Sequence, residues 1–507
     1  MQRAAHELAR MISVQPCIML PRMLLIALLP VLPGIVATAH AQGGAQEFCL
    51  DGEFDIGARL QGTTPARGEF TPARWCVITE DSGDRVQFRA TGRANPDLAG
   101  HFTVSFLPPD TVRIVNPESP PDIDFHPVAV RAEARRHARI DPVELVREIN
   151  AHPAWVISVA TDGRQIIRYP GTDHDIELKI RDGRLMELHT HADIPLRGSV
   201  PVVWRWNWPE RGEPGMTLSV DGDTLFRGSA ERRQLDAAAA TAIWQASGDV
   251  SPQAVPGDAW PARTLMRLDT LAEDVFMVRG VRTGFHHLVV DTAAGLVVAD
   301  APAGWVELHQ IPPADLVPGL GISGLSEQFI DFLRKALPGR PIRAVVLTHA
   351  HDDHAGGARA FSAAGADVYA PASVSGFLTN ALNRESMPPD RLNETKRRLL
   401  VRPVSGRTVL LDNENPVELI NIGAGPHASA AIGVYVSRPG FFFQSDLHVP
   451  ATDAAEPREV RAATECWFAT WAVRHLPPDT IVIGSHGDGR TPLSVLAQYI
   501  ESDACSA

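Results

Sequence analysis

The stretch VVLTHAHDDHAGG, residues 345–357, places three histidines and two aspartates at positions 349–354, directly after an apolar run. The aliphatic residues 345–347 predict a short buried strand, and the glycine pair 356–357 indicates tight backbone beyond the polar cluster. The cluster therefore lies where a strand ends, which is where binding and catalytic side chains concentrate.

The residue types in this cluster indicate a metal site. His349, His351, Asp353 and His354 cannot all point to one side of a regular strand or helix, so we predict a loop whose side chains converge. Converging imidazole and carboxylate groups suit zinc and first-row neighbours such as iron and manganese, and no cysteine lies nearby to indicate a structural thiolate site. Asp352 is expected to face solvent.

Three further candidate ligands follow apolar runs later in the chain. His427 follows VELINIG, Asp446 follows GFFFQ and one serine, and His486 follows DTIVIG and one serine. A single histidine after a strand is more often a hydrogen-bonded loop residue, so the prediction depends on the whole set. Together the candidates suit two metal ions that share a carboxylate.

At these residues the chain resembles the metallo-β-lactamase superfamily. THAHDDH is similar to the family signature H-x-H-x-D-H, and the three later candidates occur in the family's order. GLVVADAP resembles an early strand that ends in an aspartate, here Asp300, which supports the site from behind the ligands. Ser445 and Ser485 stand where many relatives have glycine. The resemblance covers about residues 265–500 and implies an αββα sandwich with the site at one edge of two packed sheets.

The resemblance also implies a role for each ligand: one zinc ion on His349, His351 and His427, a second on Asp353, His354 and His486, with Asp446 bridging the two. Zinc lowers the pKa of bound water from 15.7 to about 7, so a metal-bound hydroxide would attack the substrate. The expected substrate is a small molecule with an ester, thioester, lactone or phosphodiester-type bond. Asp353 is expected in addition to accept or shuttle a proton.

Three alternative functions stay open at this point. A β-lactam hydrolase is less favoured, because secreted β-lactamases of this superfamily generally lack an aspartate at the bridge. An iron-dependent oxidoreductase on the same scaffold would differ in its metal. A binding protein that metal merely stabilises would lose stability but no catalysis when a ligand is removed. No oligomeric state is predicted.

The first 41 residues predict a secretory signal peptide. An apolar stretch over 23–38 follows several arginines and precedes Ala39-His40-Ala41, which fits a small-x-small cleavage site. The stretch is shorter than the roughly 20 residues that span a bilayer, so we predict cleavage, no stable membrane anchor, and a periplasmic or secreted protein. In an oxidising compartment, Cys49–Cys76 and Cys466–Cys505 are the natural disulfides, although spacing alone does not prove either pair.

The rest of the chain divides by composition. Residues 42–246 predict a separate mainly-β domain with short helices, because Asp-Gly turns separate alternating apolar runs. Residues 247–264 are rich in Pro, Gly and Ser and predict a linker. Residues 265–507 alternate strands and helices and predict an α/β domain. The net charge of −13 argues against a nucleic-acid partner.

Two other histidine pairs receive structural interpretations. HTHAD, residues 189–193, resembles half of the signature, but Ile194 and Pro195 follow it, so we predict a strand end. His286 and His287 are interpreted as neighbouring strand residues, one buried and one exposed, because successive strand side chains point to opposite faces.

Overall fold

Three β-sheets and the helices that cover them make up the described part of the chain. The structure is a computed structural model, and it describes residues 44–55, 70–80, 86–95, 98–99, 102–107, 111–115, 141–168, 175–194, 196, 198–245, 266–282, 285–303, 323–385, 389–410, 416–450, 462–487 and 489–506. The predicted signal peptide and linker lie outside these residues and stay predictions, as does the division into two domains.

The strands run from the first described residues almost to the last. Their bounds are β1 Ala45–Asp55, β2 Phe70–Glu80, β3 Val86–Asn95, β4 Leu98–Ala99, β5 Phe102–Leu107, β6 Thr111–Val115, β7 Val156–Val159, β8 Gln165–Ile167, β9 Ile176–Arg181, β10 Arg184–Ile194, β11 Gly198–Asn207, β12 Gly215–Val220, β13 Asp223–Leu235, β14 Arg267–Ala272, β15 Val275–Arg282, β16 Phe285–Thr292, β17 Gly295–Ala299, β18 Ile342–Val346, β19 Asp367–Pro371, β20 Val401–Val404, β21 Arg407–Leu410, β22 Val417–Gly423, β23 Ala431–Val436, β24 Phe441–Phe443, β25 Ile481–Ile483 and β26 Thr491–Pro492.

Most of the helices follow the first sheet. Their bounds are α1 Pro142–Ala151, α2 Ala237–Gln245, α3 Gly324–Ala336, α4 Asp352–Ala355, α5 Ala358–Ala363, α6 Ala372–Ala381, α7 Arg391–Thr395, α8 Ala462–His475, α9 Leu493–Ile500 and α10 Asp503–Ser506, and a 3-10 turn covers Pro153–Trp155. Among the described residues, none of these helices is long and apolar enough to cross a membrane.

The first sheet is an antiparallel meander built from β1 to β13. Its order is β6-β5-β3-β2-β1-β13-β12-β11-β10-β9-β8-β7, with β4 paired to β3. The predicted Asp-Gly turns join its hairpins: Asp182 and Gly183 have φ of 51° and 73°, and Asp221 and Gly222 have φ of 54° and 87°, as a type I′ turn requires. HTHAD lies in β10, which confirms its interpretation as part of a strand.

The cysteine pairing is confirmed in both regions. Cys49 and Cys76 are directly opposite each other on β1 and β2 and form a disulfide. Cys466 of α8 and Cys505 of α10 form the second. Each bridge closes a loop of its own region, so each constrains the unfolded chain locally.

The two later sheets mix parallel and antiparallel pairing. In the seven-stranded sheet, β14 to β17 are antiparallel neighbours and β17 to β20 are parallel. In the six-stranded sheet, β21 to β24 are antiparallel and β24 pairs with β25 in parallel. Parallel strands deliver their carboxyl ends to one edge of a sheet, which is where a ligand site is usually built.

Alternation along the strands gives each of these sheets two apolar faces. In β17, Val297 and Ala299 belong to a cluster shared with the six-stranded sheet, whereas Leu296 and Val298 belong to a cluster shared with α3, α5 and α6. The six-stranded sheet buries its other face against α8 and α9. The prediction of an α/β region with packed sheets is therefore confirmed at the level of a mixed α/β fold.

One side chain of the first sheet enters the core of the later region. Leu196, in the turn between β10 and β11, is fully buried in the cluster that contains Val278 and Phe329. In addition, Arg384 Nη1 of the later region lies 3.7 Å from Asp221 Oδ2 of the first sheet. The described residues from 44 onward accordingly fall in one compact unit, which leaves the predicted division into two domains untested.

Candidate metal centre

The candidate ligands follow the ends of neighbouring strands. Asp300 directly follows β17, and His349 lies three residues beyond its parallel neighbour β18. Phe443 of β24 pairs with Ile483 of β25, so Asp446 and His486 each lie three residues past paired strand ends. This register, set by the apolar strands, brings the polar residues to one edge.

Two backbone hydrogen bonds join the sheets at this edge. Ile432 N–H in β23 donates to the carbonyl of Thr348 at 2.8 Å, and His286 N–H in β16 donates to the carbonyl of Ser485 at 2.8 Å. The accepting residues, Thr348 and Ser485, directly precede His349 and His486. The packing of the two sheets therefore fixes the backbone positions of these two candidate ligands.

Three imidazoles form the first group of candidate ligands. His349 Nε2 lies 2.9 Å from His351 Nδ1 and 3.2 Å from His427 Nε2. For Zn–N distances of about 2.0 Å, tetrahedral ligand atoms are about 3.3 Å apart, so these separations are close to those of a zinc site. The three nitrogens all lie within 4.8 Å of one another.

A second group surrounds the carboxylate of Asp446. Its Oδ2 lies 2.9 Å from His354 Nε2, 3.5 Å from His427 Nε2 and 4.0 Å from His349 Nε2. Its Oδ1 lies 3.3 Å from His486 Nε2. Asp446 thus contacts both groups, as a bridging carboxylate must.

Asp353 completes the second group. Its Oδ2 lies 3.3 Å from His354 Nε2. Ligand atoms of His349, His354 and Asp446 all lie within 4.8 Å of one another. All seven candidate residues meet at one place, with His486 the most open of them at 25 % side-chain exposure.

Asp300 lies behind the ligands and is fully buried. Its Oδ1 accepts hydrogen bonds from the backbone N–H and the hydroxyl of Thr348, both at 2.8 Å. Its Oδ2 accepts from His354 Nδ1 at 2.9 Å and from the Ser445 hydroxyl at 2.9 Å. The backbone of Asp300 has φ 65°, which a residue with a side chain seldom adopts.

These hydrogen bonds fix the imidazole tautomers. The Thr348 hydroxyl donates to Asp300, so its oxygen accepts from His349 Nδ1–H at 3.1 Å. His354 likewise uses Nδ1–H on Asp300. Both rings therefore direct Nε2 at the site, because the proton held at Nδ1 leaves Nε2 to coordinate a metal.

The protonation states suit metal binding. Burial, with the neighbouring imidazoles, lowers the pKa of His349 well below its usual range and that of His351 to about 3. Burial alone would raise the pKa of Asp446, but the His354 and His486 imidazoles hold it well below its usual range. Neutral imidazoles and ionised carboxylates are the forms that coordinate cations.

His354 shows the opposite shift. Burial disfavours its charged form, but Asp353, Asp446 and Asp300 outweigh burial and raise its pKa well above the usual range. A buried group of carboxylates that attracts a proton to this imidazole attracts a divalent cation for the same electrostatic reason.

Buried polar atoms at the site fit a cation. Among the described residues, Asp353 Oδ1 and His354 Nε2 have no hydrogen-bond partner although both side chains are buried. His354 Nε2 lies 2.9 Å from Asp446 Oδ2, but the angles of this contact are not those of a hydrogen bond. Unpaired buried polar atoms are costly, so a metal between them would satisfy both.

The structure corrects three expectations about nearby residues. Residues 352–355 form the short helix α4 rather than an irregular loop, so His351 precedes the helix and Asp353 and His354 lie in it. Asp352 is 2 % exposed and its Oδ1 accepts from the backbone N–H of Asp353, because α4 turns it inward. His286 and His287 are both buried, since β16 has packed residues on both faces.

Sequence reasoning missed several residues that touch the ligands. Thr348, Ser445 and Ser485 all contact Asp300, and each directly precedes a candidate ligand. The sequence marked the two serines only as departures from the glycines of many relatives. The ring of Phe285 lies 4.5 Å from that of His486, edge to face, and 5.9 Å from that of His354. No pattern in the sequence indicates the role of Phe285.

Residues 323–439 match the model of the metallo-beta-lactamase superfamily. They contain the whole HAHDDH segment and His427. The match lies in the C-terminal part of the chain, where the sequence carries the resemblance. The resemblance noted in the sequence is thereby confirmed. No curated protein matches the chain.

Several solved structures match part of this chain at low sequence identity. A metallo-beta-lactamase from Pontibacter korlensis is 18 % identical, with a TM-score of 0.33, and the match covers 46 % of this chain and 96 % of that one. FIM-1 from Pseudomonas aeruginosa is 17 % identical, with a TM-score of 0.33, covering 49 % and 96 %. The sec-alkylsulfatase Pisa1 from Pseudomonas sp. is 18 % identical, with a TM-score of 0.31, covering 47 % and 41 %. Likenesses this distant do not identify a substrate.

Proposed function

We propose that this protein is an exported, dinuclear zinc-dependent hydrolase that acts on an ester, thioester, lactone or phosphodiester-type bond. The observation that carries the proposal is the position of Asp446, whose carboxylate lies between two groups of imidazoles. One carboxylate shared by two ligand groups is the arrangement that holds two cations close together.

The proposed ligands divide as the family resemblance implies. His349, His351 and His427 would hold the first zinc ion, Asp353, His354 and His486 would hold the second, and Asp446 would be shared between them. When bound, two such cations supply Lewis-acid polarisation of the scissile bond and lower the pKa of water. Iron or manganese would suit the same nitrogen and oxygen donors, so metal analysis is part of the test.

The chain's own residues supply orientation and proton handling. Asp300 holds His354 through Nδ1, and Thr348 holds His349, so both Nε2 atoms keep a fixed direction without substrate. Asp353 would accept a proton from the attacking nucleophile, and its buried Oδ1, which has no hydrogen-bond partner, supports this role. Phe285 packs edge to face against His486 and lies beside His354, which restrains both rings.

We also propose that the later region has the αββα layering of its superfamily. The two sheets share one apolar cluster, and helices share a second cluster with the outer face of each sheet. This order of layers would leave the ligand-bearing strand ends at one edge of the sandwich, open to a small-molecule substrate.

Export is proposed from the apolar N-terminal stretch and is supported by the two disulfides. Disulfides persist in oxidising compartments such as the periplasm or outside the cell. The test is cell fractionation with mass measurement of the mature N-terminus. Recovery of the uncleaved chain in the cytoplasm would overturn this part of the proposal.

The function itself is tested by metal analysis and a substrate panel. We expect about two zinc ions per chain by elemental analysis. We also expect chelator-sensitive hydrolysis of at least one ester, thioester, lactone, phosphodiester, sulfate ester or β-lactam. His351→Ala should abolish hydrolysis, whereas His475→Gln, at an exposed helix end, should not. Iron without zinc, or a His351→Ala protein that loses only stability, would overturn the proposal.

A further inference from the structure

Two buried serines connect the segments that carry the second group of ligands. Ser445 directly precedes Asp446, and Ser485 directly precedes His486. Their hydroxyl oxygens lie 3.0 Å apart, and Ser485 N–H donates to the carbonyl of Ser445 at 2.9 Å. The loops after β24 and β25 are therefore joined through both backbone and side chains.

The same hydroxyls reach Asp300. Ser445 Oγ lies 2.9 Å from Asp300 Oδ2, whereas Ser485 Oγ lies 3.5 Å from it. A serine hydroxyl has one proton, and an ionised carboxylate only accepts. The shortest consistent arrangement is that Ser485 donates to Ser445 and Ser445 donates to Asp300.

His354 donates to the same carboxylate oxygen. Its Nδ1 lies 2.9 Å from Asp300 Oδ2 and 3.1 Å from the Ser445 hydroxyl oxygen. We propose, on the basis of the proposed function, that Ser445 and Ser485 are positioning residues. Through Asp300 they hold His354, Asp446 and His486 as one unit at the second metal position.

The backbone of Ser445 supports a role for its hydroxyl. Ser445 has φ 66°, in the left-handed region that favours glycine, and it is 1 % exposed. A non-glycine residue there costs of order 1 kcal/mol, so glycine would relax the backbone. What serine adds is the hydroxyl that Asp300 and Ser485 use.

The first metal position depends less on this unit. His349 connects to Asp300 through Thr348 and the other carboxylate oxygen, Oδ1. Loss of a serine hydroxyl leaves those bonds in place. Removal of a serine hydroxyl should therefore weaken binding of the second ion selectively. A general loss of stability would weaken binding of both ions.

The test is zinc titration of the metal-free full-length protein against a chromogenic chelator, with cobalt absorption spectra for each position. The variants are Ser445→Gly, Ser485→Ala and the double variant. Ser485→Thr, which keeps a hydroxyl, should rescue. Ser437→Ala is the matched control, because the Ser437 hydroxyl also donates to a carboxylate, that of Glu418. His351→Ala supplies the spectrum of the second position alone.

We expect Ser445→Gly to weaken binding of the second ion about 10- to 100-fold with the first ion unchanged, as is typical for residues that orient metal ligands. The metal-free protein should keep its melting temperature. The double variant should lose less than the product of the single losses, because the two hydroxyls act in series.

Two results would overturn the inference alone: wild-type protein that binds two ions while the variants bind both equally well, or variants that lose both ions to the same extent. Wild-type protein that binds fewer than two ions would overturn the proposed function and this inference together.

Discussion

The indole ring of Trp467 lies directly against the backbone of Gly425: a Cβ at Gly425 would be 2.6 Å from two of its ring atoms. Trp467 belongs to α8. Gly425 begins the turn that contains His427, and its N–H donates to the carbonyl of Ala428 at 2.9 Å. The helix therefore sets the position of a candidate metal ligand without touching the metal.

Gly425→Ala should displace this turn. The added methyl group meets a rigid ring, and overpacking of this kind costs about 1–3 kcal/mol. We expect weaker binding of the first zinc ion with the second less affected, measured by stepwise zinc titration. Gly406→Ala is the control, since a Cβ there has no neighbour within 4 Å. Equal effects of the two substitutions would contradict the assignment.

Asp353→Asn should separate the two roles proposed for Asp353. The amide keeps the shape but has no negative charge, so zinc occupancy falls and hydrolysis falls with it. Saturating zinc should restore occupancy but leave kcat about 100-fold or more below wild type, the usual contribution of a general base. Asp331→Asn, on α3 with its side chain 49 % exposed, is the control. Full recovery of kcat would show that Asp353 is a ligand only.

His287 should make the protein sensitive to acid. Burial lowers its pKa to about 4, although Asp300 partly opposes this, and its Nδ1–H donates to Ala299 at 3.2 Å. In the unfolded chain the His287 imidazole takes up a proton near pH 6.5, whereas in the folded protein it does so only near pH 4. The contribution of neutral His287 to the free energy of unfolding is therefore complete above pH 6.5 and is lost as the pH falls to about 4. The loss is about 3 kcal/mol at most.

His287→Gln keeps a donor for Ala299 but cannot take a proton. We expect a flatter decline of the free energy of unfolding between pH 6.5 and 4, measured by denaturant titration of the metal-free protein. His475→Gln, at an exposed position, should leave the decline as in wild type. Parallel curves for wild type and His287→Gln would refute the assignment.

Leu196→Ala should destabilise the metal-binding region although Leu196 belongs to the first sheet's hairpin. Its side chain is fully buried in the cluster that also contains Ala350 and Ala355, which flank the ligands of the signature. Truncation of a buried leucine costs about 2–5 kcal/mol. Leu400→Ala, 67 % exposed, should cost less than about 0.5 kcal/mol.

Chemical unfolding monitored by zinc release is the measurement for Leu196→Ala. A simultaneous loss of stability in both regions is expected, because one apolar cluster spans them. Unchanged zinc release would mean that the first sheet and the metal-binding region unfold independently.

Local patterns predicted much of the fold. The Asp-Gly pairs at 182–183 and 221–222 predicted hairpins because a turn of two residues with positive φ favours those residue types. Asp141 followed by Pro142 is typical of a helix start, and Asp141 accepts from the backbone N–H groups of Val143 and Glu144 at the start of α1. Such signals depend on neighbours within a few residues, so sequence alone carries them.

Burial and hydrogen-bond partners were harder to predict. Asp352 was expected in solvent but is buried, because all four residues of the short helix α4 are buried. His286 and His287 differ in direction but not in burial, since both faces of β16 are covered. The alternation of side chains along a strand predicts to which face of the sheet each one points. It does not predict whether that face is packed against another element.

By itself the sequence determined which residues are available to bind metal and the order in which strands present them. The tertiary structure alone decided how they meet, because Asp300, Ser445 and Ser485 come from strand ends that are far apart in the chain. Hydrogen bonds between such segments depend on sheet register and packing, which short-range residue patterns do not specify.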